Sequence, residues 1–194
     1  MCGVMSVNGD SASGATRIGV PVIDHLTGYV ALSAILMALC SRHQTGRGQR
    51  VEATLYDTAL SLLLPHASNW FASGSCPSLL GSAHPNIAPY DKFLARDGEL
   101  FIGVLNDPQF RRLSQHIGRP ELSNDARFAS NSGRLAHRAA LKAEIEEAIA
   151  ELDCGPLCEP LMKVGVPAGV LNSVPQALAH AHSAHRELVV QRGH

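Results

Sequence analysis

An excess of charge of either sign is what this chain most conspicuously lacks. Its 16 Lys and Arg face 17 Asp and Glu, a formal net charge of −1 with His neutral. Without a global field to draw it, neither nucleic acid nor an anionic membrane surface is expected as a partner. Charged residues are also scarce, 17% against 45% hydrophobic, which excludes a disordered chain and marks a globular one. No uninterrupted apolar run is long enough for a membrane span. The longest, Leu26 to Cys40, is broken by Gly28, Tyr29 and Ser33, short of the roughly 18 residues a spanning helix takes. Met1 to Met5 has no basic region and no small-residue cleavage site, so a signal peptide is not expected.

Disulfide and metal frameworks are missing too. The five cysteines, Cys2, Cys40, Cys76, Cys154 and Cys158, are odd in number and irregular in spacing, which predicts reduced thiols and a cytoplasmic location. Cys154 and Cys158 precede His180, His182 and His185. That spacing is too loose for a zinc knuckle, so no metal is expected and the two thiols read as solvent-facing helix residues. Thr45 to Gln49 is glycine-rich but lacks the Gly-Lys-Ser/Thr of a phosphate loop. There is also no Gly-x-Ser-x-Gly elbow and no His-Glu-x-x-His.

What the chain does contain is alternating helical and extended signals. An irregular Gly- and Ser-rich lead-in over residues 1–22 carries a loop near Asp10 to Gly14. Asp24 then stands where an N-cap would stand, before a helix predicted to about His43. That helix is apolar nearly all round and is expected to be buried on most sides; Gly46 suits its left-handed C-terminal cap. Arg50 to Leu55 alternates polar and apolar and predicts a short strand, and a second helix, kinked by Pro65, is predicted from Tyr56 to Phe71. A Gly- and Pro-rich loop over residues 74–89 is the candidate boundary. Beyond it, Asp97-Gly98 marks a hairpin joining 90–95 to 99–105. Helices follow over 107–118, 131–152, 156–164 and 174–180, with a strand-like return at 166–171. Leu188 to Val190 reads as the start of another strand.

These motifs resemble, in order, those of the class III CoA-transferases, of the formyl-CoA and carnitine CoA-transferase type. The resemblance begins with Gly19-Val20-Pro21-Val22-Ile23-Asp24-His25-Leu26-Thr27-Gly28. It continues through Arg42-His43-Gln44-Thr45-Gly46-Arg47-Gly48-Gln49, His84-Pro85-Asn86 and Asn106-Asp107-Pro108 to Gly165-Val166-Pro167-Ala168-Gly169. It implies the central part of a longer chain with an α/β fold, truncated at both ends. Residues 1–75 would belong to a large α/β domain and 76–88 to a linker and active-site loop. Residues 89–172 would form a small α+β domain, and 173–194 would start a return to the large one.

The resemblance also implies a mechanism. Asp24 would be the nucleophile that moves CoA between an acyl-CoA and a small carboxylic acid, through an aspartyl anhydride and an aspartyl-CoA thioester. The CoA thioester would be substrate, with no permanently bound cofactor. Gly81 would lie in the loop that closes over the intermediate. Leu55 would lie near CoA through its backbone, its side chain being core. His25 is turned away from Asp24 by helix geometry, and Arg47 and Arg50 read as surface charges. The full-length protein would form an interlocked homodimer, and this portion would be inactive alone. Two readings stay open beside it: an α-methylacyl-CoA racemase of the same fold, with Asp107 near the position of its glutamate, and a non-catalytic portion acting only in dimerisation. Asp107, followed by Pro108, reads better as a helix cap.

Overall fold

A computed structural model of the chain describes residues 2–190. It mixes helix with two small sheets and divides into two compact units, one ending at Pro85 and the other beginning at Asn86.

The first unit opens with a single 3-10 turn, Val4–Val7, and a minimal antiparallel ladder, β1 (Gly9–Asp10) with β2 (Gly14–Ala15). Asp10 closes the turn between them, its Oδ1 accepting from the backbone N–H groups of Ala12 at 2.9 Å and Ser13 at 2.7 Å. Helix α1 (Val22–Thr45) follows and ends on Gly46, whose φ of 67° is the left-handed cap that a Cβ would penalise. The predicted second helix is two, α2 (Leu55–Ser61) and α3 (His66–Ser73). Proline lacks the N–H that a helix interior bonds, so the chain leaves one helix before Pro65 and starts the next after it.

Further expectations fail in this unit. The predicted strand over 50–55 pairs with no other strand among the described residues: positions 50–54 have no regular structure and Leu55 already starts α2. Thr54 instead caps α2, its Oγ1 accepting from Asp57 N–H at 3.1 Å. Helix α1 is not buried: Tyr29, Leu32, Leu36 and Met37 are all more than half exposed, and no residue of the helix is buried. An all-round apolar helix is covered only where other elements surround it, and within this unit α2 packs on it while the buried residues are Thr58 and Ala59 alone among those described. Finally, α1 is long and apolar enough, by length and composition, to cross a bilayer. Gly28, Tyr29 and Ser33 interrupt the apolar run too mildly to lower it below that threshold, a profile that core helices of soluble proteins share.

The second unit owns a core. Strands β3 (Tyr90–Ala95), β4 (Gly98–Gly103) and β5 (Ala168–Val170) form an antiparallel sheet in that order, with Ala95 opposite Gly98 across the two-residue turn Arg96-Asp97. Period-two alternation turns Phe93, Leu100 and Ile102 inward. Against them pack α4 (Asp107–His116), α6 (Arg138–Ile149) and α7 (Cys154–Lys163) through Phe110, Leu113, Leu141, Ile145, Ile149 and Leu161, all at most 2% exposed. Positions 141, 145 and 149 recur every four residues and form one stripe on α6. The helix predicted over 131–152 is broken: α5 (Asn131–Ala136) stops at His137, whose φ of −115° and ψ of 29° leave the helical region. Past β5 lie two short helices, α8 (Val174–Ala179) and α9 (Ala181–His185). Leu188 to Val190 forms no strand, having no ladder partner, and the last four residues of the predicted return segment lie outside the described residues.

Two polar devices organise this core. Arg134, 1% exposed, donates from Nε to Ala88 O at 2.6 Å, from one Nη to Phe128 O at 2.9 Å and from the other to Asp107 Oδ1 at 2.8 Å. Its guanidinium also lies 4.6 Å from the centre of the Phe110 ring. The hairpin turn, meanwhile, grips the start of α7. Asp97 Oδ1 accepts from Cys154 N–H at 2.8 Å, and Arg96 forms a two-point ion pair with Asp153. Cys154 and Cys158 face this core instead of solvent, because the same helix face carries Leu157 and Leu161 inward. Burial, aided by the neighbouring Asp97 carboxylate, pushes the Cys154 thiol up to about 11.

Arg134→Met conserves bulk but strands two carbonyls and a carboxylate. It should lower the unfolding free energy of this unit by roughly 3 kcal/mol or more, with Arg134→Lys recovering only part of the loss. Urea melts followed by circular dichroism test this, since the single tryptophan, Trp70, lies in the other unit.

Asp97 is held below the usual carboxylate range chiefly by the Cys154 backbone N–H. A depressed folded value means that its contribution is present above the ordinary value and is lost as pH falls through the folded one. Asp97→Asn should therefore flatten part of the acid limb of the stability curve below about pH 4, read from melts across pH.

Candidate functional site

A cavity of about 610 Å³ in the first unit forms where the 3-10 turn, the end of the β1–β2 ladder and the first turn of α1 meet. Its position follows from local chain rules. Asn8 ties the ladder shut: its backbone O accepts from Thr16 N–H at 2.8 Å, and its Nδ2 donates to Thr16 O at 3.0 Å. The chain then runs without regular structure to Pro21, whose fixed φ turns it into the helix. Apolar and small side chains, among them Val4, Met5, Ile18 and Ile23, make most of the wall. Among the described residues, its only charged members are Asp24 and Arg17.

Asp24 is the third residue of α1 and not its cap. Pro21 occupies the cap position, and no side chain bonds the free amides there. The carboxylate is exposed and, among the described residues, accepts no hydrogen bond. Its charge lies in the first turn, where the helix dipole favours an anion. An unbonded, exposed carboxylate beside an apolar cavity is sterically free to meet an electrophile that enters there. His25 is exposed and does not line the cavity.

The other two candidates stand elsewhere in the unit. Gly81 adopts φ of +63°, which explains glycine, and its N–H donates to Gly9 O at 2.8 Å, so the loop leans on the β1–β2 ladder. Leu55 opens α2 and is 53% exposed. The core role expected for its side chain is thus corrected: the helix starts there, and no element covers that face. Neither Gly81 nor Leu55 lines the cavity beside Asp24. Arg50 pairs with Glu52 on the surface, where such a bridge adds little.

In the second unit, Asp107 is not a cap either. Asn106 fills that role, accepting from Gln109 N–H at 2.9 Å, and Asp107 is committed to Arg134.

Sequence reasoning missed Arg17 and Arg134. The signal for Arg17 was present: it is the one Lys or Arg before Arg42. Arg134 carried none, since a buried arginine on a helix reads as a surface residue.

A family model described as CoA-transferase family III matches residues 1–194. An acetyl-CoA:oxalate CoA-transferase of Acetobacter aceti is 34% identical over 194 residues, which is all of this chain and 50% of that protein. A succinate–glutarate CoA-transferase of Agrobacterium fabrum is 35% identical over 179 residues, covering 92% of this chain and 45% of its own length. Among solved structures, a CAIB/BAIF family protein from Brucella suis superposes with a TM-score of 0.76 at 41% identity, over 96% of this chain and 49% of that one. Rv3272 from M. tuberculosis gives 0.82 at 25% identity, over 98% and 49%. The chain thus spans about half the length of the curated relatives it matches.

Because Asp24 makes no capping bond, Asp24→Asn and Asp24→Ala should each change unfolding free energy by less than about 1 kcal/mol, the scale of a dipole interaction. Denaturant melts of the three proteins check this. A loss of about 2 kcal/mol for Ala alone would mark a hidden cap.

Proposed function

The chain belongs to CoA-transferase family III, and from that premise we propose that the protein carrying it moves CoA from an acyl-CoA to a small carboxylic acid, with Asp24 as nucleophile. The observation that carries the reading is that Asp24 is the one carboxylate on the wall of the apolar cavity and has no hydrogen-bond partner among the described residues. The acids in the names of the relatives, oxalate, succinate and glutarate, are small carboxylic acids, which supports that acceptor class.

The steps balance as follows. An Asp24 oxygen attacks the thioester carbonyl, the C–S bond breaks, and a mixed anhydride forms with release of CoA thiolate. The thiolate attacks the aspartyl carbonyl, freeing the donor acid as its carboxylate and leaving aspartyl-CoA thioester. The acceptor carboxylate attacks that thioester, regenerating an anhydride and the thiolate. Attack of the thiolate on the acceptor's acyl carbon then yields the new acyl-CoA and restores the Asp24 carboxylate. No proton changes hands, so the site needs no general base. Its tasks are to hold the thiolate near and to keep water from the activated acyl groups, for which an apolar wall is suited.

The racemase reading has less support. It would use a second acidic group near Asp107, and Asp107 is occupied by Arg134. We further propose that the protein acts in the cytoplasm, in line with five free cysteines. An interlocked homodimer is proposed to cover the apolar surface of α1, with this portion inactive by itself.

Incubating the protein, expressed from its complete coding sequence, with acyl-CoA and hydroxylamine should place a hydroxamate on Asp24, read by peptide mass spectrometry. Asp24→Asn should give no label and should lower turnover by several orders of magnitude, about the cost of removing a covalent step. A label on another residue, or near-normal transfer by the Asn variant, refutes the mechanism.

A further inference from the structure

The cavity beside Asp24 poses an electrostatic problem. The acceptor's carboxylate attacks the aspartyl-CoA thioester, in which Asp24 carries no charge, so any further carboxylate on the acceptor must lie against walls that are mostly apolar, where an unpaired charge is costly. Among the described residues, Arg17 is the one cation on that wall. Among the described residues it pairs with no carboxylate. Its only hydrogen bond is a long one, 3.3 Å, from an Nη to the carbonyl of its neighbour Ile18. Its planar fork is therefore free to bind a carboxylate through two parallel hydrogen bonds, a geometry that lysine cannot reproduce. The side chain is exposed, so binding would not first require an internal partner to be displaced.

A monocarboxylic acid would use only half of this arrangement. Its one carboxylate must reach the Asp24 centre, which leaves an apolar tail near the guanidinium. An acid with a carboxylate at each end uses the whole arrangement: one end attacks the aspartyl thioester and the other binds the cation. A volume of about 610 Å³ accommodates a short carbon chain between them.

We propose that Arg17 is a specificity-determining residue, which binds the distal carboxylate of a dicarboxylic acid while the proximal one exchanges CoA at Asp24. This rests on the transferase reading and narrows its acceptor to dicarboxylic acids.

The test compares acceptors of matched length, glutarate and valerate, in the protein expressed from its complete coding sequence. The readout is the ratio of their kcat/KM values. Wild type should favour glutarate. Arg17→Met should lower the ratio about ten- to a hundredfold, the scale of a lost charge-assisted hydrogen-bond pair, mainly through KM for glutarate. Arg17→Lys, which keeps the charge and loses the fork, should fall between the two and decides the matter if the Met variant does not fold. An unchanged ratio in a folded variant overturns the role of Arg17, even where both rates decline together. Failure of the wild type to transfer CoA to either acid, with no hydroxamate on Asp24, overturns the transferase reading itself and this inference with it.

Discussion

Withdrawing a guanidinium from water is tolerable only when its hydrogen-bond donors find acceptors and its charge finds a partner. Arg134 meets both conditions, and in doing so it fixes the second unit. Its three bonds gather the chain at Ala88, at Phe128 and at Asp107. Those points are the lead into β3, the stretch before α5 and the first residue of α4. Asn131 works beside it on the same segment, accepting from Ala88 N–H at 3.1 Å and donating to Asn86 O at 2.9 Å. Three segments remote in sequence thus share one polar knot, and the apolar core closes around it. Hydrophobic burial supplies most of the driving force, but without directional preference; the knot selects which arrangement of those segments is satisfied.

The first unit lacks such an anchor and has little core of its own. Its order comes from two local devices, the Asp10 turn and the Asn8–Thr16 tie, and from one bond remote in sequence, Gly81 N–H to Gly9 O. That economy suits a site whose wall is built from chain segments rather than from deep packing. Asp24 and Arg17, seven residues apart, reach one cavity because Pro21 turns an irregular segment into a helix between them.

Legibility in the sequence followed the range of the interactions. The hairpin, its turn one residue earlier than Asp97-Gly98, and the α1 terminus at Gly46 were readable, and Pro65 was readable as a kink though not as a full break, because each is dictated by residues within a few positions. The strand predicted at 50–55 was not formed, since alternation reports a preference and pairing needs a partner. The inward turn of Arg134 depends on Ala88 and Asp107, more than twenty residues away, and left no local trace. At the site, the motif around Asp24 was legible as a resemblance. Its place as third helical residue, and not cap, needed the torsions of Pro21.

The grip of the hairpin turn on α7 bears on how this domain can diverge. Turns between antiparallel strands are usually where chains gain and lose residues, because nothing else depends on their length. Here Arg96 and Asp97 serve both as the turn and as the missing first-turn partners of a helix more than fifty positions later. An insertion at that turn would alter two elements in one event. Length variation is therefore barred at the hairpin tip, the place where a hairpin ordinarily admits it.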